Sequence, residues 1–423
     1  MNRRGHAVVV GDGIVGLSTG LALLGDGWSV MLIGRKTEAI GGTALGSAGL
    51  LAVQTVQPLA LPNIWKQIPQ LLFDRDAPIV LNLKYLPRAL PWLLRLLRAS
   101  RPTEVERLSV ALAWLLQRSH ESYESLLGRA AVRNLVRRSG LLTIYRTHQQ
   151  LAAAQPELEL RRRRNIRLEV VDAAQLRRAI PDLSPEYRVG VSYPDCGHVP
   201  DIDRLIGALA ERFLREGGQR IADTVTSFAE RAGVIEGVAG QNGTHKGDLV
   251  VVACGAWSGK LAARLGASIP LDTERGYHVM LPSPGIAVGV PLIVGDIRFA
   301  ITPMEAGLRL AGTVEFAGLA APPNPRRPAM LLESARRCLP GLRSDGATTW
   351  MGFRPSLPDS LPVIGFAPGR QNVLLAFGHG HLGLTLGPAT GELVRDMAAG
   401  RAREAELRPF RAERFGWLGR GTG

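Results

Sequence analysis

Three short, mainly apolar runs mark the hydrophobic pattern of the chain, at 6–10, 248–253 and 372–377. Runs of this length without polar alternation are typical of strands buried on both faces of a parallel sheet. They lie near the start, the middle and the end of the chain. The pattern therefore predicts one sheet assembled from separated segments.

Helical and alternating patterns fill much of the rest of the chain. Residues 83–127 predict helices, and within them five leucines fall on one helical stripe: Leu86, Leu90, Leu93, Leu94 and Leu97. Residues 200–216 predict an amphipathic helix. Further strands are predicted at 225–238, 277–281, 298–302 and 308–314. The fold class expected from this mixture is α/β.

The first run opens a β-α-β unit over 6–33 that carries a glycine fingerprint. Gly11 permits the tight turn after the strand, Gly13 allows backbone to approach a pyrophosphate, and Gly16 allows close packing of helix on strand. The start of the following helix offers backbone N–H groups and a partial positive charge to phosphates. A strand, a helix and a second strand around the glycines together predict a dinucleotide site.

Two residues depart from the usual fingerprint. The acid expected at the end of the second strand, where it would bind the adenosine ribose, is replaced by Gly34, and Arg35 and Lys36 follow it. Such a basic pair suits a 2′-phosphate, so NADP is considered as the dinucleotide. Asp12 also puts a carboxylate beside the predicted phosphate site. We expect both features to weaken cofactor binding.

Composition excludes several classes of protein. The 423 residues are 46% hydrophobic, and 51 basic against 37 acidic residues give a net charge of 51 − 37 = +14. Three separated cysteines do not form a disulfide framework or a zinc ribbon, and no metal site is expected. The basic residues lack the interleaved aromatics of a nucleic-acid module. No apolar run is long enough to span a bilayer, and the first strand leaves no room for a signal peptide, so we expect a cytoplasmic protein.

Four separated segments carry a resemblance to a known family. They are Val8–Gly16, Thr43–Pro62 with its Ser-Ala-Gly motif, Gly276-Tyr277, and the stretch from Gly352-Phe353-Arg354-Pro355 on to 378–391. In this order the chain resembles the FAD-dependent oxidoreductases of the D-amino-acid oxidase group, and is most similar to the D-amino-acid dehydrogenase small subunit.

The resemblance implies a Rossmann-like FAD-binding domain interleaved with an α+β substrate domain built on an antiparallel sheet. We expect the FAD-binding domain to comprise 1–82, 198–273 and 350–423, and the substrate domain 83–197 and 274–349. The resemblance also favours FAD over NADP, because the C-terminal glycine-rich turn belongs to flavin sites.

The resemblance places the cofactor contacts on residues of five segments. These residues are Gly11, Gly13, Ile14, Val15 and Gly16; Arg35; Thr43, Ala48 and Gly49; Val225, Gly255 and Trp257; and Gly378, His379, Gly380, Leu382, Gly383, Leu384 and Thr385. Ser47 and the stretch 354–362 offer no histidine or cysteine for a covalent link, so non-covalent FAD is expected. The helix after Phe377 would also stabilise negative charge on the reduced flavin.

Arg354 is the predicted substrate residue, because a guanidinium fork binds a carboxylate bidentately and stays charged. The family places its carboxylate-binding arginine in this setting. Tyr277 would donate its hydroxyl to the same carboxylate, and His381 would approach the substrate amine. The expected reaction is oxidative deamination of a D-amino acid, or a cyclic imino acid such as proline or hydroxyproline. Hydride passes from the α-carbon to flavin N5, and the imine hydrolyses to a 2-oxo acid and ammonia.

Two alternatives stay open at this point. The chain also fits a glycine- or sarcosine-type oxidase that uses oxygen, or a non-catalytic subunit of a hetero-oligomeric flavoprotein. The resemblance further implies a quinone or other respiratory-chain electron acceptor and a peripheral contact with the inner face of the cytoplasmic membrane. The basic amphipathic stretch 86–98, with Trp92, suits such a contact. It equally suits a helix packed on its own core.

Overall fold

A computed structural model of the chain describes residues 4–35, 40–62 and 77–418, and Lys36 lies outside them. The strands of this part are β1 (His6–Val10), β2 (Ser29–Gly34), β3 (Leu50–Leu51), β4 (Ile79–Leu81), β5 (Leu141–Tyr145), β6 (Glu169–Asp172), β7 (Val189–Tyr193), β8 (Gly197–His198), β9 (Gln219–Ala222), β10 (Val225–Arg231), β11 (Val234–Gly240), β12 (Gly243–Lys246), β13 (Leu249–Val252), β14 (Asp272–Leu281), β15 (Leu292–Val294), β16 (Phe299–Met304), β17 (Gly307–Phe316), β18 (Thr348–Ser356), β19 (Val363–Phe366) and β20 (Val373–Phe377).

The α-helices of the same part are α1 (Ile14–Gly25), α2 (Leu86–Ala99), α3 (Pro102–Leu116), α4 (Ser119–Leu127), α5 (Arg129–Leu135), α6 (His148–Ala153), α7 (Gln155–Arg163), α8 (Ala173–Ala179), α9 (Ile202–Arg215), α10 (Ser258–Arg264), α11 (Arg326–Cys338), α12 (Gly383–Ala398) and α13 (Glu404–Leu407). Within the described ranges, none of these helices is both long and apolar enough to cross a lipid bilayer.

The first sheet joins strands from distant parts of the chain in the order β19-β20-β13-β1-β2-β9. The pairs from β20 to β9 are parallel, and β19 is antiparallel to β20. The three apolar runs of the sequence are β1, β13 and β20, which lie side by side with nearly every residue buried. The prediction of one sheet from separated segments is confirmed.

Layers on both faces explain why these central strands are apolar throughout. On one face α1, α9 and α12 form a core with Ala7, Val9 and Val251. On the other, Val8, Val10 and Val250 pack with residues of the antiparallel sheet β10-β11-β12 and of α10. The helices α1 and α12 approach so closely that a Cβ on Gly391 would lie 2.6 Å from backbone atoms of Ser18.

The second sheet is mostly antiparallel and runs in the order β18-β14-β17-β16-β15-β5-β7-β6, with β4 paired to β17. It buries Val279, Ile301 and Leu310 against α11. With the parallel sheet beside it, the predicted mixed α/β class is confirmed. The domain boundaries stay a prediction. The boundary at 349/350 falls inside β18, which pairs with β14 from Thr348 to Ser356.

A bulge interrupts the pairing of β17 with β14. Arg275 faces Glu315 and Tyr277 faces Gly312, so Gly276 lies opposite the two residues 313 and 314. Thr313 absorbs the irregularity with a positive φ of 56°. Bulges bend a strand and redirect its backbone groups, and this one lies beside the cavity described next.

Candidate functional site

A cavity of about 1520 Å³ takes its wall from both large sheets. Val10, Ile33 and Ala376 come from the parallel sheet, and Ala311 and Arg354 from the antiparallel one. Pockets for small ligands usually measure about 300–1,000 Å³. This cavity therefore has room for a large cofactor together with a small substrate.

The glycine fingerprint builds one end of the cavity. Gly11 has a φ of 113°, and a Cβ there would lie 2.3 Å from the carbonyl oxygen of Ala253. Gly16 does not line the cavity. A Cβ at this position would lie 1.7 Å from the carbonyl oxygen of Gly11, so the lack of a Cβ lets α1 pack on β1. Gly11, Gly13, Ile14 and Val15 line the cavity, and no side chain caps α1 at Gly13.

Asp12 does not point its charge at the phosphate site as the sequence suggested. Its carboxylate reaches the end of β2, and a Cβ on Gly34 would lie only 1.8 Å from Asp12 Oδ2. Arg220 of β9 donates to that oxygen from Nε at 3.0 Å and from Nη2 at 2.6 Å. The Asp12 carboxylate therefore has a charged partner, which lies 208 residues further along the chain.

Beside this corner, Arg35 lies over the ring of Trp257, with its guanidinium carbon 3.7 Å from the ring centroid. Both residues line the cavity together with Val225 and Gly255. The pair forms a flat, cationic wall, which suits an aromatic ring system.

The segment 42–49 forms another wall. Ala48 lines the cavity, as does Thr43, whose hydroxyl donates to the carbonyl of Phe353 at 3.1 Å. Gly49 does not line it. Its φ is 74°, and a Cβ there would lie 3.1 Å from the carbonyl oxygen of Val199, which requires glycine for the turn.

The sequence analysis missed the residue that holds this segment. Arg309 of β17 donates to the carbonyls of Leu45 and Ser47 at 3.0 and 2.8 Å. Burial lowers the pKa of Arg309 to about 10. A single arginine in an apolar strand was the available signal, but its partners are carbonyls that no sequence pattern marks.

The turn after β20 supplies the opposite wall. Gly378, His379, Gly380, Gly383 and Leu384 line the cavity, and no side chain caps α12. The two other predicted residues of this turn, Leu382 and Thr385, do not line the cavity. The Leu382 side chain is buried, and the Thr385 hydroxyl accepts a hydrogen bond from the Ala52 amide at 3.2 Å and so ties the turn to the 50–52 segment.

The two histidines of the turn differ in their surroundings. The His379 ring is buried with Nε2 2.9 Å from the Thr390 hydroxyl, and burial lowers its pKa to about 3. His381 is open to the cavity; desolvation first, and the charge of Arg354 second, lower its pKa to about 4. Both rings are therefore neutral near pH 7.

Arg354 lies in the cavity wall, and glycine at 276 makes room for it. A Cβ on Gly276 would lie 2.3 Å from Arg354 Nη2. The Nη1 group donates to the carbonyl of Thr313 at 3.0 Å, so the bulge of β17 fixes the guanidinium. A guanidinium has five N–H donors, so this bond leaves donors for a carboxylate in the cavity.

Tyr277 is not brought into the cavity, and its predicted contact with a substrate carboxylate is corrected. The side chain is 2% exposed. Its hydroxyl donates to Glu315 Oε2 at 2.5 Å and accepts from the Asn324 amide at 3.0 Å. Successive residues of a strand point to opposite faces, so Tyr277 and the cavity-lining Gly276 cannot serve the same site.

A carboxyl group that the sequence analysis missed lies next to Arg354. Glu274 lines the cavity, is 3% exposed, and pairs directly with Arg354 across β14 and β18. Opposite residues of antiparallel strands share a face. Burial raises the pKa of Glu274, while the Ser356 hydroxyl that donates to it, and then Arg354, act against that rise. The available sequence signal for Glu274 was its position two residues before Gly276.

The residues of the cavity fit a dinucleotide cofactor. Glycines at 13, 42, 255 and 380 leave space where a Cβ would meet nothing closer than 3.7 Å, and their backbone lines the cavity. Two helix N-termini without side-chain caps face the same space, which suits anionic groups. Across the described ranges, no group of three or more histidine, cysteine or carboxylate side chains could hold a metal ion.

Comparison with known proteins gives one family and several close relatives. The family model described as DAO, FAD dependent oxidoreductase, matches residues 6–397. The chain is 34% identical to a D-amino-acid oxidase of Bradyrhizobium diazoefficiens, with 97% of this chain and 99% of that protein covered. It is 28% identical to a D-amino acid dehydrogenase of Cereibacter sphaeroides, with 96% and 95% covered.

Solved structures share the fold. Glycine oxidase from Geobacillus kaustophilus aligns with a TM-score of 0.73 at 21% identity, covering 100% of both chains. L-proline dehydrogenase from P. horikoshii aligns with a TM-score of 0.72 at 18% identity, covering 98% of this chain and 99% of that one.

Proposed function

This chain belongs to the DAO family of FAD-dependent oxidoreductases, and on that premise we propose that it catalyses the oxidative deamination of a D-amino acid. FAD, when bound, supplies a ring that accepts the hydride of the substrate α-carbon. The resulting imine hydrolyses in water to a 2-oxo acid and ammonia. The relatives named D-amino-acid oxidase and D-amino acid dehydrogenase support this substrate class.

The observation that carries the proposal is the guanidinium of Arg354 in the cavity wall. Its Nη1 is fixed by the Thr313 carbonyl at 3.0 Å, and its Nη2 and Cζ occupy the volume that a Cβ on Gly276 would need. A carboxylate bound to the remaining donors is held at two points, which orients the neighbouring carbon. This is the recognition that an amino acid needs and that a simple amine cannot use.

We propose that Glu274 accepts a proton from the substrate amino group. An amino acid arrives with an ammonium group, whose nitrogen must lose a proton before its lone pair can assist loss of hydride. When the substrate carboxylate binds Arg354, a second negative charge comes close to the buried Glu274 carboxylate. A nearby like charge raises a carboxyl pKa further, so Glu274 becomes able to take the ammonium proton on its carboxylate oxygen.

The cofactor is proposed to lie with its diphosphate at the start of α1 and its ring beside the turn before α12. Gly11 and Gly13 would hold the diphosphate by backbone contact, and Arg35 with Trp257 would flank the adenosine. The N-terminal end of α12 would stabilise negative charge that develops on the ring. Non-covalent binding is part of this proposal.

The electron acceptor and the surface contact belong to the same proposal. A quinone of the respiratory chain is favoured, because α2 exposes Leu90 and Leu94, at 49% and 58%, beside the exposed Arg88 and Arg98. Exposed leucines flanked by basic side chains suit an anionic lipid surface. The contact would bring the cavity close to a lipid-soluble acceptor.

The test is anaerobic mixing of the flavin-loaded protein with a panel of D- and L-amino acids, proline, glycine and sarcosine, while the flavin absorbance is followed. D-Amino acids should bleach the flavin and their L-enantiomers should not. Bleaching by glycine and sarcosine alone would contradict the proposal, as would a flavin that no amino acid reduces. Peroxide release in air, measured against dye reduction, then separates an oxidase from a dehydrogenase.

The matched variants are Arg354→Ala and Arg204→Ala. Loss of a buried charged partner costs about 100-fold or more in binding, so Arg354→Ala should raise the substrate concentration needed for bleaching by that factor while flavin stays bound. Arg204 forms a surface pair with Glu305 at 2.6 Å outside the cavity wall. Its substitution should change nothing, and equal kinetics of the two variants would remove Arg354 from its role.

A further inference from the structure

We propose that Asp12 supplies the carboxylate that binds the adenosine ribose of the cofactor, in place of the acid missing at Gly34, and that Arg220 is its positioning residue. In the dinucleotide fold this carboxylate comes from the end of the second strand. The inference rests on FAD binding by the family and not on the identity of the substrate.

The geometry puts the Asp12 carboxylate where a side chain at position 34 would begin. A Cβ on Gly34 would lie 1.8 Å from Asp12 Oδ2 and 2.1 Å from its Cγ. The two residues approach because β1 and β2 pair in parallel as far as Val10 and Ile33, and the Gly11 amide donates to the Ile33 carbonyl at 2.8 Å. Aspartate at 12 therefore requires glycine at 34, since the side chain of any larger residue at 34 would collide with the Asp12 carboxylate.

Arg220 explains how a carboxylate can lie in the fingerprint without repelling the diphosphate. It is on β9, where it pairs with Leu32 of β2, and both of its bonds end on Asp12 Oδ2. The guanidinium charge offsets the carboxylate charge. A carboxylate has about four acceptor sites, so this pairing leaves capacity for two ribose hydroxyls on the cavity side, where Asp12 and Gly34 both contribute to the wall.

The other carboxylate at this corner is Asp223, and its acceptor sites are used within the protein. It accepts from His245 Nε2 at 2.7 Å and from the amides of Thr224 and Asn242 at 2.7 and 3.2 Å. Its side chain is fully buried. Asp223 is therefore the matched control for Asp12.

The experiment measures binding, not turnover. The full-length protein is stripped of flavin, and FAD is returned while its fluorescence is followed; ADP and 2′-deoxy-ADP then compete with FAD. The parent chain should bind ADP at least tenfold more tightly than 2′-deoxy-ADP. In Asp12→Ala this preference should fall to less than twofold, and FAD affinity should fall at least tenfold. Asp223→Asn should keep the preference.

The exchange variant Asp12→Ala/Gly34→Glu moves the acid back to the second strand and should restore the preference for ADP. Asp12→Asn serves where Asp12→Ala does not fold, because it keeps the shape and removes the charge. Equal weakening of ADP and 2′-deoxy-ADP in both Asp12 variants would mean that the ion pair with Arg220 is structural only, and would overturn the inference. A parent chain that binds neither FAD nor ADP would instead contradict the cofactor itself.

Discussion

Gly276 and Arg354 depend on each other, since the guanidinium occupies the volume that any side chain at 276 would need. Glycine here is required by steric room and not by backbone angle, because its φ does not fall in the left-handed region. The sequence motif Gly-Tyr was therefore informative about the glycine and misleading about the tyrosine.

Gly276→Ala should displace the guanidinium and impair substrate orientation. Displacement of a binding group by about 1 Å costs up to ~100-fold in rate, so kcat/KM for the best amino acid of the panel should fall by that order. Bound flavin, measured by absorbance, should not change. Gly207→Ala on α9, where an added Cβ meets nothing within 4 Å, is the control. Unchanged kinetics in Gly276→Ala would refute the steric argument.

Glu274 makes the stability of the protein depend on pH in a defined direction. Its pKa is raised in the folded chain above the ordinary value of 4.5, with burial as the largest cause and Arg354 and Asp272 as the charged neighbours. As the pH rises from 4.5 toward the raised pKa, the unfolded chain loses this proton while the folded chain keeps it. The free energy of unfolding therefore falls with rising pH in this window.

Urea unfolding of Glu274→Gln across the same range should show a smaller fall than the parent chain, because glutamine does not titrate. Glu333→Gln is the control, since the Glu333 side chain on α11 is 68% exposed. Parallel pH profiles for Glu274→Gln and the parent chain would show that the carboxyl does not titrate differently on folding.

The helix α2 shows that periodicity in the sequence predicts a helix but does not settle which of its faces is buried. The pattern indicated a helix, and α2 spans Leu86–Ala99 with Pro87 in its first turn. The stripe of five leucines was not the buried face: Ala89, Trp92 and Leu96 are buried, while Leu90 and Leu94 are exposed. Trp92 packs against Phe316 in a tilted arrangement with ring centroids 5.1 Å apart, so it cannot also enter a membrane.

The double variant Leu90→Gln/Leu94→Gln should keep its free energy of unfolding and lose vesicle binding. Burying a leucine is worth about 1.5–3 kcal/mol, so partial insertion of two should make binding to phosphatidylglycerol vesicles roughly tenfold stronger than in the variant. Sedimentation with vesicles measures this. Leu214→Gln on α9, at 56% exposure, is the control. Equal sedimentation of parent and double variant would refute the contact.

At the scale of the whole molecule, the local sequence patterns predicted individual strands and turns but not the contacts between distant segments. Buried runs identified β1, β13 and β20, and the glycines identified the turn between β1 and α1 that lines one end of the cavity. The direction of the Asp12 carboxylate depends on Arg220, and the Tyr277 hydroxyl is held by Glu315 and Asn324. Both depend on long-range contacts, because the residues in contact lie in different sequence motifs.

The wall of the cavity comes from residues as early as Val10 and as late as Leu384. During synthesis on the ribosome, the fingerprint turn emerges long before β20 and α12, which complete the central sheet and pack against α1. Until then, a nascent chain lacks the part of the cavity wall that comes from β20 and from the turn before α12. Cofactor loading must therefore wait until translation is nearly finished, and flavin supply becomes a factor in how much newly made protein reaches its final form.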